Sequence, residues 1–242
     1  MAAASVPTPE IGIRPLLTTA DAFTASAVLS EVWNGDPSGM PPNLLRALAH
    51  SGNYAAGLYA DGRMVGASVA FFAAPGERSM HSHLTGILPE FRSLGLGRLL
   101  KQHQREWALE RGVGRITWTF DPLVARNAHL NLTVLGTRAV EYLVDHYGPM
   151  DDGLNRDDQS DRILVSWELA APPAATPADN EIVATVAVPP DIETLRATSP
   201  TDAAAWRIRV RDALCGHLAS GARIGGFDTE RGYLLVPAGV TG

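Results

Sequence analysis

The segment Ile87-Leu88-Pro89-Glu90-Phe91-Arg92-Ser93-Leu94-Gly95-Leu96-Gly97-Arg98-Leu99-Leu100 constrains this chain more than any other. A strand ends, a loop with two glycines turns, and an amphipathic helix begins. Gly95 and Gly97 remove side chains where a ligand must approach the backbone. The first amides of a helix have no acceptor inside the helix, and its dipole adds partial positive charge at that end. Strand, glycine loop and helix start therefore form an anion site suited to a pyrophosphate. The loop is not a Walker loop, because it lacks the Gly-Lys-Ser/Thr run. Nor is it a Rossmann fingerprint, because Leu100 stands where the third glycine belongs. The competing reading is a plain helix start with two incidental glycines.

The rest of the chain alternates strand and helix signals. Ile11–Pro15 reads as a first strand. Thr19 or Asp21 is placed to cap a helix in which Ala22, Phe23, Ala27, Val28 and Val32 recur at helical spacing. Trp33–Pro42, with two glycines and three prolines, must turn, and Asn43–Ala49 is a second helix. Asp61-Gly62 between two apolar runs, 55–60 and 64–72, signals a hairpin, since Gly accepts the positive φ of a type I′ turn. His81–Leu88 is the next strand. In the helix Leu96–Arg111, Leu96, Leu99, Leu100, His103 and Trp107 share one stripe, and Gly112 sits at the C-terminal cap. Arg115–Phe120 is a strand, Asn127–Leu135 a short helix, and Val140–Val144 and Ile163–Leu169 two late strands. The acidic stretch from Asp151 to Asp161 reads as a solvated hairpin loop.

Ala171-Pro172-Pro173-Ala174-Ala175-Thr176-Pro177-Ala178 breaks the composition as a semi-rigid linker would. The expected organisation is a domain at 1–169, a linker at 170–180 and a small β-α-β extension at 181–242. In that extension, Ile182–Val188 is a strand. Thr201 caps a helix with Ala203, Trp206, Val210, Leu214 and Leu218 on one stripe. Arg223–Phe227 and Tyr233–Val236 form a closing hairpin. Strand, two helices and two strands thus recur at both ends of the chain, a pattern that a degenerate repeat would leave.

Composition narrows the partners. The net charge is −6 and no Lys/Arg block stands out, so a nucleic-acid surface is not expected. No run approaches the ~20 apolar residues of a membrane span. The N-terminus lacks the basic and apolar regions of a signal peptide. The single cysteine, Cys215, falls in a helix and reads as a packed thiol; it can form neither an intrachain disulfide nor a multi-cysteine metal site. The expectation is a reduced, cytoplasmic protein with no metal.

The glycine segment resembles motif A of the GNAT superfamily of N-acetyltransferases, Q/R-x-x-G-x-G/A. The order β-α-α-β-β-β-α-β-α-β-β over about residues 11–169 is also that of the superfamily. A closer match, to an uncharacterised subgroup of GNAT acetyltransferases, is carried by His81-Ser82-His83, Trp118-Thr119-Phe120-Asp121-Pro122-Leu123, Ala125-Arg126-Asn127-Ala128-His129-Leu130-Asn131 and Ser160-Asp161-Arg162. The resemblance implies an α/β (α+β) fold, a mixed central sheet flanked by helices, and acetyl-CoA or another acyl-CoA as co-substrate. It implies a cleft between strands 81–88 and 115–120. Backbone groups at Ile87 and Leu88 would meet the pantetheine arm. Arg92, Ser93, Leu94, Gly95, Leu96, Gly97 and Arg98 would hold the pyrophosphate, and Asn127 and Asn131 would lie near the pantetheine and sulfur.

The implied reaction is direct attack of an amine on the thioester, with a small-molecule amine as acceptor. An ammonium must first lose its proton, so a base is needed. His83 is the first candidate and Asp121 the second, with Glu90 behind them. Period-2 alternation puts His81 and His83 on one strand face. Packed strand histidines and a plain Asp-Pro turn are the competing readings. The superfamily often carries a tyrosine as acid to the leaving thiolate, four residues before a glycine. Counting back from Gly136 gives Leu132. His129, Tyr142 and Tyr147 are the substitutes, and the sequence does not choose among them. That departure keeps two alternatives open: a CoA-binding sensor or interaction module without transferase activity, and another CoA-thioester chemistry such as hydrolysis or decarboxylation. The extension 181–242 either packs on the core or builds a homodimer interface.

Overall fold

The computed structural model describes residues 9–33, 40–148 and 158–239. Most of the turn expected at 33–42 and the acidic residues 151–157 lie outside the described residues. The chain forms two compact units, one of residues 1–76 and 80–111, the other of residues 77–79 and 112–242.

In the first unit, β1 (Ile11–Pro15), β2 (Tyr54–Ala60), β3 (Arg63–Phe72) and β4 (Ser79–Ile87) pair antiparallel in chain order. Ala60 pairs directly with Arg63, and Asp61 and Gly62 take φ of 48° and 79°, the left-handed pair that closes a two-residue hairpin. Helix α1 (Thr19–Val32) begins in a capping box one residue earlier than expected. Thr18 Oγ1 accepts from the Asp21 amide, and Asp21 Oδ2 accepts from the Thr18 amide at 2.8 Å. Helix α2 (Pro42–His50) follows, and α3 (Leu96–Leu109) comes after β4. Leu29, Leu45, Leu58, Val65, Val69 and Leu100 are buried in one apolar cluster, each contributing about 1.5–3 kcal/mol. Gly86 lets α1 approach β4 closely: a Cβ there would lie 2.8 Å from the Trp33 ring.

The buried face of α3 differs from the expected stripe. Leu96, Leu100, Lys101, Gln104 and Ala108 are buried, while Leu99 is exposed. His103 and Trp107 instead line a flank of the helix against Tyr54, whose hydroxyl lies 2.9 Å from His103 Nδ1. Hydrophobic periodicity misplaced the face because two of its inward residues are polar.

In the second unit, β5 (Arg115–Phe120), β7 (Arg162–Glu168) and β6 (Arg138–Leu143) form an antiparallel order β5-β7-β6. Between β5 and β6 lies α4 (Ala125–Ala128), which continues into a π-helical turn at His129–Val134. A second sheet has the order β8-β10-β9, from β8 (Ala184–Val186), β9 (Ala222–Asp228) and β10 (Gly232–Pro237). Two helices, α5 (Ile192–Thr198) and α6 (Pro200–Ala219), lie between β8 and β9, and the stripe from Ala203 to Leu218 belongs to the second. Asp191 caps the first, and Pro200 opens the second in place of the expected Thr201 cap.

The similarity of the two chain ends is one of element order only. In the first unit, β1 pairs with the first strand of its hairpin; β8 pairs with the second strand of its own. Residues 171–178 are also more than a spacer. The Ala174 amide donates to the Gly136 carbonyl at 2.9 Å, and Pro177 packs beside Gly225 and Gly226.

Candidate functional site

The end of β4 delivers the chain into the glycine loop. Leu88 is buried and its amide donates to the Val65 carbonyl at 2.9 Å, so that amide is taken by β3. Arg92 Nε donates to the Ile87 carbonyl at 3.4 Å, folding the loop back on the strand end. Pro89–Phe91 makes one 3₁₀ turn. Ser93 and Gly95 then take φ of 65° and 75°. Glycine is free in that region, whereas a β-carbon is strained there. A Cβ on Gly95 would meet nothing within 4 Å, so the space above this backbone is open.

Gly95 is the N-cap of α3, and the first helical bond runs from the Leu99 amide to the Gly95 carbonyl at 3.1 Å. The amides of Leu96, Gly97 and Arg98 therefore have no acceptor inside the helix. Buried Leu96 and Leu100 anchor this turn, while Ser93, Leu94 and Arg98 are exposed. The result is a fixed, open nest of amides at a helix N-terminus with arginines 92 and 98 beside it, an arrangement that attracts a multiply charged phosphate.

Upstream on β4, the pairing with β3 slips: Val69 faces Leu84, but Ala70 faces Ser82. His83 is the extra residue of a β-bulge, a feature that re-aims a side chain. His81 and His83 flank Phe71, with ring centroids 5.3 and 5.8 Å from it. Partial desolvation lowers the His83 pKa below its ordinary value, so near neutral pH the ring is a neutral proton acceptor. Glu90 is held on the surface by Arg63 at 3.1 Å.

In the second unit, the structure corrects the reading of Asp121. The residue is buried, and both carboxylate oxygens are gripped by arginines. Arg207 Nη1 and Nη2 donate at 2.8 and 3.0 Å, and Arg196 Nη2 donates at 2.6 Å. Burial opposes the charge, but the two guanidiniums outweigh it and hold the carboxyl well below the usual carboxylate range. Such a group has little tendency to take a proton from an ammonium. The acidic stretch is corrected in the same way. Asp158 bridges Arg196 and Arg207, and Asp161, fully buried, accepts from Arg211 and from the Tyr142 hydroxyl. These aspartates are buried anchors for α5 and α6, and no short-range pattern reveals them because the arginine partners of Asp121, Asp158 and Asp161 lie 38 to 86 residues away.

Asn131 is buried in the π-turn, its Oδ1 accepting from Trp118 Nε1 at 3.2 Å. The Asn127 amide donates to the Val124 carbonyl, and its side chain is half-buried. Leu132 is buried. Of its three substitutes, Tyr142 is tied to Asp161, which with burial raises its pKa. Tyr147 is exposed, its hydroxyl 2.9 Å from Thr119 Oγ1 on β5. His129 Nδ1 is buried without a hydrogen-bond partner among the described residues.

No group of described His, Cys, Asp or Glu residues has the arrangement of a metal site, and no described helix is long and apolar enough to cross a membrane.

Residues 22–130 match the family model described as the acetyltransferase (GNAT) family. Among solved structures, the ribosomal-protein-S18-alanine N-acetyltransferase of Escherichia coli superposes with a TM-score of 0.55 at 17% identity, over 67% of this chain and 96% of that one. The yncA protein of Salmonella typhimurium, solved with its cofactor acetyl-CoA, gives 0.53 at 17% identity, over 70% and 99% of the two chains. The paia N-acetyltransferase of Thermoplasma acidophilum, in complex with coenzyme A, gives 0.51 at 13% identity, over 66% and 99%. No curated protein matches the chain. At these identities the structural likeness speaks for the fold, and the family match covers the glycine loop, β4 and β5. The chain has the GNAT fold, and its residues 22–130 match the acetyltransferase (GNAT) family.

Proposed function

We propose that the chain moves an acetyl or other short acyl group from acyl-CoA to an amine of a small molecule. The observation that carries this reading is the loop Arg92–Arg98, where left-handed Ser93 and Gly95 open a nest of amides at the start of α3. In the proposed complex those amides, with Arg92 and Arg98, neutralise the pyrophosphate. Charge-assisted bonds from fixed amides favour the anion without reorganisation.

The amine, as its free base, attacks the thioester carbonyl carbon. The C–N bond forms, the tetrahedral adduct collapses, and the C–S bond breaks to release CoA as thiolate. His83 takes the proton that the amine sheds. Its lowered pKa keeps the ring neutral and ready to accept. Asp121 has no part in this scheme; its charge belongs to Arg196 and Arg207. The thiolate takes its proton from solvent, since a thiol of pKa ~8.5 leaves without full protonation.

Buried Leu132 at the superfamily's tyrosine position favours one second reading, a CoA-binding module without transferase activity. Incubating the protein with acetyl-CoA and a panel of small amines separates the two. Sustained thiol release with an acetylated amine supports transfer. Thiol release without any acceptor indicates hydrolysis, and binding without turnover indicates the module.

A further inference from the structure

Lys101 is the only lysine in the chain, and it is buried on the inner face of α3. Its Nζ donates to Ser82 Oγ on β4 at 2.7 Å and approaches Gln104 Oε1 at 3.5 Å. Gln104 Nε2 donates to Ser68 Oγ on β3 at 3.3 Å, and Ser68 Oγ shares a 2.8 Å hydrogen bond with Thr85 Oγ1 on β4. Ser68, Ser82, Lys101 and Gln104 are all buried. A polar chain thus runs through an otherwise apolar layer, where each unpaired group would be costly and each paired group is directional.

The two β4 residues held by this chain are three apart. In a regular strand, residues three apart point to opposite faces. Ser82 and Thr85 reach the same network because His83 is an extra residue between them, opposite the Val69–Ala70 step. Removing the bulge shifts the register by one and turns one of the two away from α3. The network therefore matches only the bulged strand.

We propose that Lys101, with Gln104, clamps the β4 bulge through Ser82 and Thr85, and is a positioning residue for His83. The clamp sits on the α3 side, and the bulge presents His83 beside Phe71. Burial holds the Lys101 pKa down to about 7, so near neutral pH the amine is partly discharged, and it donates hydrogen bonds in either form. The role in catalysis rests on the reading of His83 as the base; the clamp itself does not.

The test reads the bulge directly. The ring C–H signals of His83 are recorded by NMR in the full chain, assigned by their loss in His83→Gln, for wild type, Lys101→Met, Ser82→Ala, Ser82→Thr and Leu45→Ala. Leu45 lies in α2, and its truncation is a destabilised control away from the clamp. Lys101→Met and Ser82→Ala are expected to displace the His83 signal and to lower kcat by about tenfold or more, as small misplacements of a reacting group do. Ser82→Thr, which keeps the hydroxyl, and Leu45→Ala should retain the wild-type signal. A His83 signal unmoved in both Lys101→Met and Ser82→Ala, or moved as far by Leu45→Ala, overturns the clamp. If the signal moves while His83→Gln retains full activity, the clamp stands and the base assignment falls.

Discussion

Arg207 holds both oxygens of Asp121 at 2.8 and 3.0 Å, across 86 residues of sequence. Arg196 and Asp158 close the group on the other side. The four side chains are buried and alternate in charge, so each ion is neutralised where water cannot do it. Residues 191–211 are thereby bound to the end of β5 and the start of β7 within the second unit.

Replacing Asp121 with Asn leaves two buried guanidiniums short of a counter-charge. The expected loss is about 3–5 kcal/mol of folding stability, typical of breaking a buried pair from one side. The pH dependence has a definite sign. Asp121 and Asp161 both titrate below their ordinary value of 3.8 in the fold. Their stabilisation is complete above that value and is lost as pH falls through the folded values. Denaturant unfolding followed from pH 6 to pH 2 should show wild-type stability declining below about pH 4. Asp121→Asn should begin lower and decline less.

Gly136 carries a separate expectation. Its φ is +62°, and a Cβ there would lie 2.5 Å from Pro173 Cβ and 2.9 Å from the Ala174 nitrogen. Gly136→Ala should cost about 1–3 kcal/mol, measured by chemical denaturation, since overpacking against backbone has no cheap relief. A neutral result would mean that the proline segment lies free of β6.

His83→Gln should lower kcat/KM by about 10²–10⁴-fold, the usual worth of a general base. The wild-type pH–rate profile should rise through a pKa below 6.5, the ordinary imidazole value, because desolvation lowers that of His83. This limb should vanish in the variant. His81→Gln, on the same face, should keep the limb.

Lys101 gives a second pH-dependent stability test, with a slope of the same sign as that of Asp121 but in a more alkaline window. Its pKa is about 7 in the fold and 10.5 when unperturbed. Between these values the unfolded chain binds the extra proton, so the contribution of this residue to stability rises with pH. The difference in stability between wild type and Lys101→Met, followed by urea unfolding from pH 7 to pH 10, should therefore shift toward wild type as pH increases. A difference constant with pH would contradict a suppressed lysine.

Local chemistry made much of the first unit legible. Asp61-Gly62 encodes the backbone hand of its turn, and Gly95 and Gly112 mark both ends of α3, each with positive φ. What escaped the sequence is non-local. The inward residues of α3 include Lys101 and Gln104, which a hydrophobic stripe cannot register. Asp158 and Asp161 read as solvated because their arginine partners are encoded in α5 and α6. Asp121 read as a turn residue or a base for the same reason. The His83 bulge leaves no sequence mark, since a strand with an inserted residue looks like a longer strand.

The central claim is that the loop at the start of α3 binds the pyrophosphate of coenzyme A. Isothermal titration of acetyl-CoA into the purified full chain tests it most directly, with Gly95→Val and Gly52→Val measured beside the wild type. Both glycines have positive φ and open space at the Cβ, so the two variants carry similar backbone strain. Only the first stands in the nest. The account predicts saturable binding to wild type and to Gly52→Val, and at least a tenfold weaker affinity, about 1.4 kcal/mol, in Gly95→Val. Absence of binding to the wild type, or equal affinity in all three, would contradict it.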